Sequence, residues 1–255
     1  MTDPTLDFTG RRALITGAAS GIGAALARWL DARGIATLHL VDTNGAGLAA
    51  LDLSCDVFRH TGDVADPDFW AGFEKVVTRL DHAAINAGIA GSGGEIADLS
   101  FADWRSVMAV NLDGAFLSLA SALRLMRANG KGSAVVTASA VGIKPVAGIG
   151  AYGPAKAAVA HLARIAAVEN AAHGIRVNAV APAGVDTAIW DSGAAFREAA
   201  ATHGRAAAIA GMGSAIPRGR FATADEVAGD IGYLLGDLSA NVTGTVLVSD
   251  GGYGL

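Results

Sequence analysis

Tyr152 and Lys156 stand four residues apart in the run Tyr152-Gly153-Pro154-Ala155-Lys156. On a helix that spacing puts both side chains on one face. A phenol with an ordinary pKa of about 10 is too weakly acidic to serve as a base near neutrality. An ammonium group alongside stabilises the phenolate and is expected to lower that value. A tyrosine so tuned can take a proton from an alcohol or return one to an oxygen that is becoming an alcohol. By itself the pair is also an ordinary surface pair. It gains meaning from Ser139, which lies thirteen residues upstream at the end of a β-rich run.

A second locus of chemistry is Thr16-Gly17-Ala18-Ala19-Ser20-Gly21-Ile22-Gly23. It joins the apolar run Ala13 to Thr16 to the helical pattern Ile22 to Arg33. Glycines let a backbone turn sharply and approach a pyrophosphate, and a helix N-terminus offers free N–H groups to the anion. Asp42 ends the next strand-like run nineteen residues beyond Gly23, close to the ~20 of a dinucleotide fingerprint. Its carboxylate can accept hydrogen bonds from ribose hydroxyls and would repel a 2′-phosphate. The neighbouring Ala19, Ser20 and Thr43 are uncharged, so NAD is the expected cofactor rather than NADP.

The spacing of Gly17, Gly21 and Gly23, together with Tyr-x-x-x-Lys and the upstream serine, resembles the short-chain dehydrogenase/reductase family. The resemblance runs from Gly10 to Tyr253. It implies that Gly17, Ser20, Gly21, Ile22 and Gly23 hold the cofactor phosphates, and that Asp63 and Val64 meet the adenine. Asn86, Ala87 and Gly88 match the family's Asn-Asn-Ala-Gly motif, with Ile85 in place of the first Asn. Pro182, Val185 and Thr187 match the segment around the nicotinamide, Thr187 facing its carboxamide. Tyr152 becomes the general acid/base, Lys156 its tuning group and a ribose ligand, and Ser139 the donor to the reacting oxygen. Asn111, in Val110-Asn111-Leu112, matches the residue that holds a water against Lys156. Two further departures stand out: Ala183 replaces a glycine, and Pro154 sits between Tyr152 and Lys156, harmless only in a first helical turn.

These residues need a scaffold, and the chain alternates short β-rich runs with helical ones throughout. Strands are expected at Ala13–Thr16, Thr37–Val41, Val57–His60, His82–Asn86, Ser133–Ala138, Ile175–Val180 and Thr245–Val248. Helices fall between them, among them Pro67 to Leu80, a long one from the Ser100/Asp103 capping pattern to Gly130, Tyr152 to Ala172, and Thr223/Glu226 to Leu235. The expectation is α/β: a single doubly wound Rossmann-type domain over 1–255, with a seven-stranded parallel sheet and helices on both faces. The cofactor half is roughly 10–130 and the catalytic half 131–255. The Ala- and Gly-rich stretch from Ala183 to Pro217 reads as a lid, centred on 187–215.

Composition narrows the function classes. Half the residues are apolar and 17% charged, as in a packed globular protein. A net charge of -5 offers nothing to nucleic acid. Single Cys55 allows no intrachain disulfide, the six histidines show no metal spacing, and no metal is expected. No apolar run approaches the roughly 18 residues of a membrane span, and the N-terminus lacks a secretory pattern. A cytoplasmic enzyme is expected. Val141, Ile143, Ile149, Trp190, Phe196 and Met212 are expected to line an apolar pocket, which suits an apolar, cyclic or polyol secondary alcohol and its ketone. A 3-oxoacyl-thioester reductase using NADPH and a catalytically silent NAD-binding scaffold are the competing readings. The resemblance also implies a homotetramer, built on the helices from Phe101 and Tyr152 and on the last strand.

Overall fold

The computed structural model describes residues 6–255; Met1–Thr5, where the signal reading begins, lie outside the described residues. Among the described residues, seven strands form one parallel sheet: β1 (Arg12–Thr16), β2 (Thr37–Asp42), β3 (Asp56–Thr61), β4 (His82–Ile85), β5 (Gly132–Thr137), β6 (Ile175–Pro182) and β7 (Val246–Ser249). Their order across the sheet is 3-2-1-4-5-6-7. The direction of progression reverses between β1 and β4, and the crevice beyond their C-terminal ends is where ligands bind in such sheets. β1 and β4 run Arg12-Ala-Leu-Ile-Thr and His82-Ala-Ala-Ile, buried almost end to end. Both faces of the sheet's centre are covered, so apolar runs replace alternation.

The helices are α1 (Gly21–Asp31), α2 (Gly45–Ala49), α3 (Pro67–Val76), α4 (Phe101–Met108), α5 (Gly114–Asn129), α6 (Tyr152–Asn170), α7 (Ala194–His203), α8 (Arg205–Gly213) and α9 (Ala224–Leu235). One apolar layer, with Leu26, Leu30, Val227 and Ile231, fills the space between the sheet, α1 and α9. The other, with Trp70, Leu119, Met126, Val159 and Ala163, packs α3, α5 and α6 on the opposite face. Glycine decides one of these contacts: a Cβ at Gly232 of α9 would overlap the Trp29 ring of α1.

Both sequence-derived caps form. Thr223 and Glu226 make the full capping box of α9. Ser100 Oγ accepts from the Asp103 N–H at 3.0 Å and donates back to the Asp103 carboxylate at 2.7 Å. Other expectations need correction. α3 stops at Val76, short of Leu80, because Val77 turns extended and is buried in the core instead. The short α2, started by Asn44 accepting from the Gly47 N–H, went unforeseen. The stretch from Ala183 to Pro217 is not an irregular loop but carries α7 and α8. Its many alanines supply helix propensity without an apolar stripe to read.

The helix from Phe101 to Asn129 runs through a π-helical turn at Ala109–Asp113. By length and composition it could span a membrane, with mean hydropathy 1.4 over its best window. It serves instead as a helix of the folded core, with 44% of that window buried inside the protein. Its inner face packs on the sheet while Phe116 and Phe101 remain exposed.

Candidate active site

β1 ends at Thr16, and the turn after it is built by glycines. Gly17 adopts φ 65° and Gly21 φ 52°, a left-handed backbone that disfavours any side chain. A Cβ at Gly23 would overlap the Gly17 carbonyl. Ser20 is the N-cap of α1 but makes no side-chain cap bond, so the first-turn N–H groups have no capping side chain. Asp42, at the end of β2, accepts from the Ala19 N–H at 3.0 Å and the Asn44 N–H at 2.9 Å. Each carboxylate oxygen has a further lone pair for another donor. A backbone cradle with spare N–H groups, beside a carboxylate with spare acceptors, fits a dinucleotide.

Thr16, which sequence reasoning passed over, ties the two central strands together. Its Oγ1 accepts from the N–H groups of Asn86 and Ala87 at 2.9 and 3.1 Å. Asn86 Nδ2 donates to the carbonyl of Thr16, and Thr137 Oγ1 donates to Asn86 Oδ1 at 3.2 Å. The segment Asn86-Ala87-Gly88 is thereby fixed against the glycine turn, with Ala87 Cα 2.8 Å from where a Gly17 Cβ would stand. Asp63 is exposed and accepts from the Ala65 N–H, while Val64 buries its side chain and gives its carbonyl to Trp70 Nε1 at 2.8 Å. Val185 is also buried, bridged to Ala222, so it packs. Ile22 is half-buried in the first turn of α1. Thr187 reaches over the glycine turn, its methyl 3.1 Å from the Gly21 Cβ position.

The four residues expected to act converge from three elements. Tyr152 opens α6 and Lys156 follows one turn on; Pro154 falls within the first turn, where no N–H is missed. Ser139 caps a 3₁₀ turn after β5 and donates to the Pro182 carbonyl at 3.3 Å. That turn lies directly on α6, since a Cβ at Gly142 would stand 2.7 Å from the Lys156 carbonyl carbon. Asn111 sits in the π-helical turn, a local distortion common at functional sites. Its amide clamps Ile89 in both directions, donating to the carbonyl and accepting from the N–H at 2.8 Å each. Asn111 Oδ1 and Lys156 Nζ both face the hydrogen side of Gly88, 3.1 and 3.3 Å from a Cβ placed there.

Electrostatics depart from the sequence reading. Lys156 is buried, donates to the Thr137 carbonyl at 2.8 Å, and sits 5.6 Å from the Tyr152 ring centre. Burial drives its pKa down to about 8. Burial pushes Tyr152 up to about 12, opposed only in part by the Ser139 hydroxyl. The expected lowering of the tyrosine is therefore absent in the protein alone: desolvation outweighs an ammonium that is aimed at a carbonyl instead.

Beside Tyr152 lies a recess of about 10 Å³, walled mainly by Ala90, Gly91, Leu99, Val107 and Ile149. Of the expected lining residues, Phe196 and Trp190 instead pack the lid: Phe196 is buried with Ile209, Ile216 and Phe221, and Trp190 stacks on Phe221. A larger cavity of about 420 Å³, bordered by Arg218, Arg220, Glu226 and Asp230, contains none of the four convergent residues. Its size does not make it the site, because no candidate proton donor or acceptor of the kind found beside Tyr152 is buried there. Among the described residues no group of His, Cys, Asp and Glu is placed to hold a metal.

The chain is similar to known proteins in sequence and in fold. Residues 17–254 match the family model described as Enoyl-(Acyl carrier protein) reductase. The chain is 39% identical to a cis-4-hydroxycyclohexanecarboxylate dehydrogenase of Sinomonas cyclohexanicum, covering 96% of this chain and 97% of that one. It is 34% identical to a cyclohexanol dehydrogenase of an Acinetobacter strain, covering 96% of each. The crystal structure of levodione reductase superposes with a TM-score of 0.88 at 34% identity, over 97% of this chain and 98% of that one.

Proposed function

The chain belongs to the short-chain dehydrogenase/reductase family, and from that footing we propose that it interconverts a cyclic secondary alcohol and its ketone with NAD(H). It is an oxidoreductase of CH–OH groups that binds a nicotinamide cofactor. The observation that carries the proposal is the convergence of Ser139, Tyr152, Lys156 and Asn111 beside an apolar recess. NAD is favoured over NADP by Asp42, whose charge would repel a 2′-phosphate. The six-membered ring in two relatives' names favours a cyclic substrate.

When bound, the nicotinamide supplies the hydride acceptor or donor. The protein's own residues do the rest. Ser139 holds the reacting oxygen by a hydrogen bond. Tyr152 takes the alcohol proton during oxidation and returns it during reduction. Lys156 keeps two of its three donors beyond the Thr137 carbonyl, enough to hold ribose hydroxyls. Asn111, with Oδ1 facing the same space, holds a water that passes the proton between Lys156 and solvent. Gly17, Ser20, Gly21, Ile22 and Gly23 receive the phosphates, Asp63 and Val64 flank the adenine, and Asn86, Ala87 and Gly88 flank the nicotinamide ribose. Pro182 and Thr187 hold the far side of the nicotinamide, while Val185 packs in the core beside Ala222.

The exposed apolar faces of the Phe101–Asn129 helix and of α6 support a homotetramer; Val168 on α6 is 82% exposed and Phe116 53%. Burial, with the Asp31 carboxylate beside it, pushes the Cys55 thiol up to about 12. The test is turnover on cyclohexanol, cis-4-hydroxycyclohexanecarboxylate and the acyclic 2-hexanol with NAD+, alongside Tyr152→Phe. Ring alcohols should be preferred. The folded Tyr152→Phe variant should lose a factor of about 10²–10⁴ in turnover with NAD+ binding nearly unchanged. Near-wild-type turnover in that variant overturns the site.

A further inference from the structure

We propose that Arg205 is the latch of the lid, setting how long the cofactor is held by pinning the segment that carries Thr187. The inference rests on the functional reading above. Arg205 is the first residue of α8, and its guanidinium spans three positions of the chain that follows β6. Nη1 meets Asp186 Oδ1 at 2.7 Å, Nη2 donates to the Thr187 carbonyl at 3.0 Å, and Nε meets Asp191 Oδ1 at 3.3 Å. The same guanidinium lies 5.9 Å from the Phe196 ring centre of α7. One side chain thus ties both lid helices to the residues on either side of Thr187. Thr187 in turn covers the glycine turn at Gly21.

The placement makes little sense as helix stabilisation. A cation at the first position of α8 opposes the helix dipole, which favours negative charge there. Gly204 before it supplies no side-chain cap. What Arg205 gains lies instead on the segment from Asp186 to Asp191. The planar fork of arginine suits this three-way contact, which lysine cannot reproduce. The pairs are also solvent-reached, with Arg205 42% exposed and the two carboxylates 46% and 50%. Exposed pairs of this kind are individually weak. A latch made of them holds the lid closed and still releases it on the time scale of turnover, where lid opening often limits the rate.

The Arg205 pairs leave the Ser139, Tyr152 and Lys156 chemistry alone, so Arg205 is a positioning residue. Its effect should appear in cofactor release and not in the chemical step. The experiment follows NADH release by stopped-flow fluorescence and hydride transfer by single turnover. It compares wild type, Arg205→Ala, Arg205→Lys, Asp186→Asn and the double variant Arg205→Ala with Asp186→Asn. Arg205→Ala should release NADH about three- to tenfold faster, given two exposed ion pairs and one charge-assisted bond. The single-turnover rate should change less than about twofold. Arg205→Lys should recover part of the loss, and the double variant should be no worse than Arg205→Ala.

In about 1 M salt, where screening reaches ~3 Å, wild type should approach Arg205→Ala, which itself should respond little. Amide hydrogen exchange over residues 186–200 of the cofactor-free protein should quicken in Arg205→Ala by a similar factor. Unchanged NADH release overturns the latch. So does a single-turnover loss as large as the change in release, which would put Arg205 in the chemistry. If wild type binds no nicotinamide cofactor, the functional reading fails, and unchanged amide exchange in Arg205→Ala then refutes the latch separately.

Discussion

Replacing Lys156 by Met removes a buried ammonium while keeping an unbranched chain of similar length. Lys156 is 4% exposed, and burial takes its pKa from 10.5 down to about 8. Between those two values the unfolded chain binds more protons than the folded one. Folding stability from this group therefore rises with pH across that window. Below about pH 8 the folded protein bears the full cost of the buried charge, and above 10.5 the cost is gone. At 1.36 kcal/mol per pH unit the whole span amounts to about 3 kcal/mol. Methionine titrates nothing and lacks the slope. The variant also strips the Thr137 carbonyl of its donor, a loss of roughly 1–3 kcal/mol that does not depend on pH. The slope, not the offset, is the informative quantity. Denaturant unfolding of both proteins at several pH values gives it directly. Between about pH 8 and pH 9.5 wild type should gain on Lys156→Met by roughly 2 kcal/mol. Tyr152 does not obscure this, because its raised pKa places its opposing slope between 10 and about 12. A difference that stays flat across the window refutes the desolvated lysine.

Three further outcomes are expected. Ser139→Ala should lower kcat by about 10-fold or more with little change in cofactor affinity, since its bond to the reacting oxygen strengthens as charge develops there; a pure KM effect would contradict its role. Asp42→Ala combined with Thr43→Arg should move the ratio of kcat/KM values from NAD toward NADP, because repulsion is removed and a phosphate partner added. A wild type that already prefers NADP(H) would dispose of the Asp42 reading. Phe116→Glu with Val168→Glu should convert a tetramer to smaller species in sedimentation, and a wild-type monomer at micromolar concentration would refute the assembly.

The sheet was legible because its central strands are nearly pure apolar runs punctuated by glycine, and because seven such runs alternate with helices. The residues of the two loci were legible by type and spacing: Gly17, Gly21, Gly23 and Asp42 on one side, Ser139, Tyr152 and Lys156 on the other. What escaped was of a different physical kind. Thr16 acts through two backbone N–H groups some seventy residues away, and no local pattern marks such a partner. Gly142 matters through the closeness of its turn to α6, a tertiary fact. The π-helical turn at Asn111 has no periodicity of its own inside a long helix. The lid helices hid in alanines, and Trp190 and Phe196 looked like pocket walls because apolar residues serve packing and binding alike.

The charges of the site carry the longest inference. A phenol loses its proton more readily when positive charge faces it and less readily when water is withdrawn. In the free protein only the second influence is strong, so Tyr152 keeps its proton at neutral pH. Lys156 could supply the first, yet its one bond in the site goes to the Thr137 carbonyl, and its own desolvation weakens its hold on a proton above about pH 8. The two groups are thus buried at a cost that neither relieves for the other. Positive charge from a bound oxidised cofactor, together with hydroxyl acceptors for the remaining donors of Lys156, is what would favour both charged forms at once. Ionisation of Tyr152 is then conditional on a loaded site. A tyrosinate absorbance, read as wild type minus Tyr152→Phe, should be missing below about pH 10 in the free protein and should move to lower pH when NAD+ is added. Phenolate present at neutral pH without NAD+ would show that Lys156 alone suffices, and would return the site to the simpler arrangement read from the spacing of Tyr152 and Lys156.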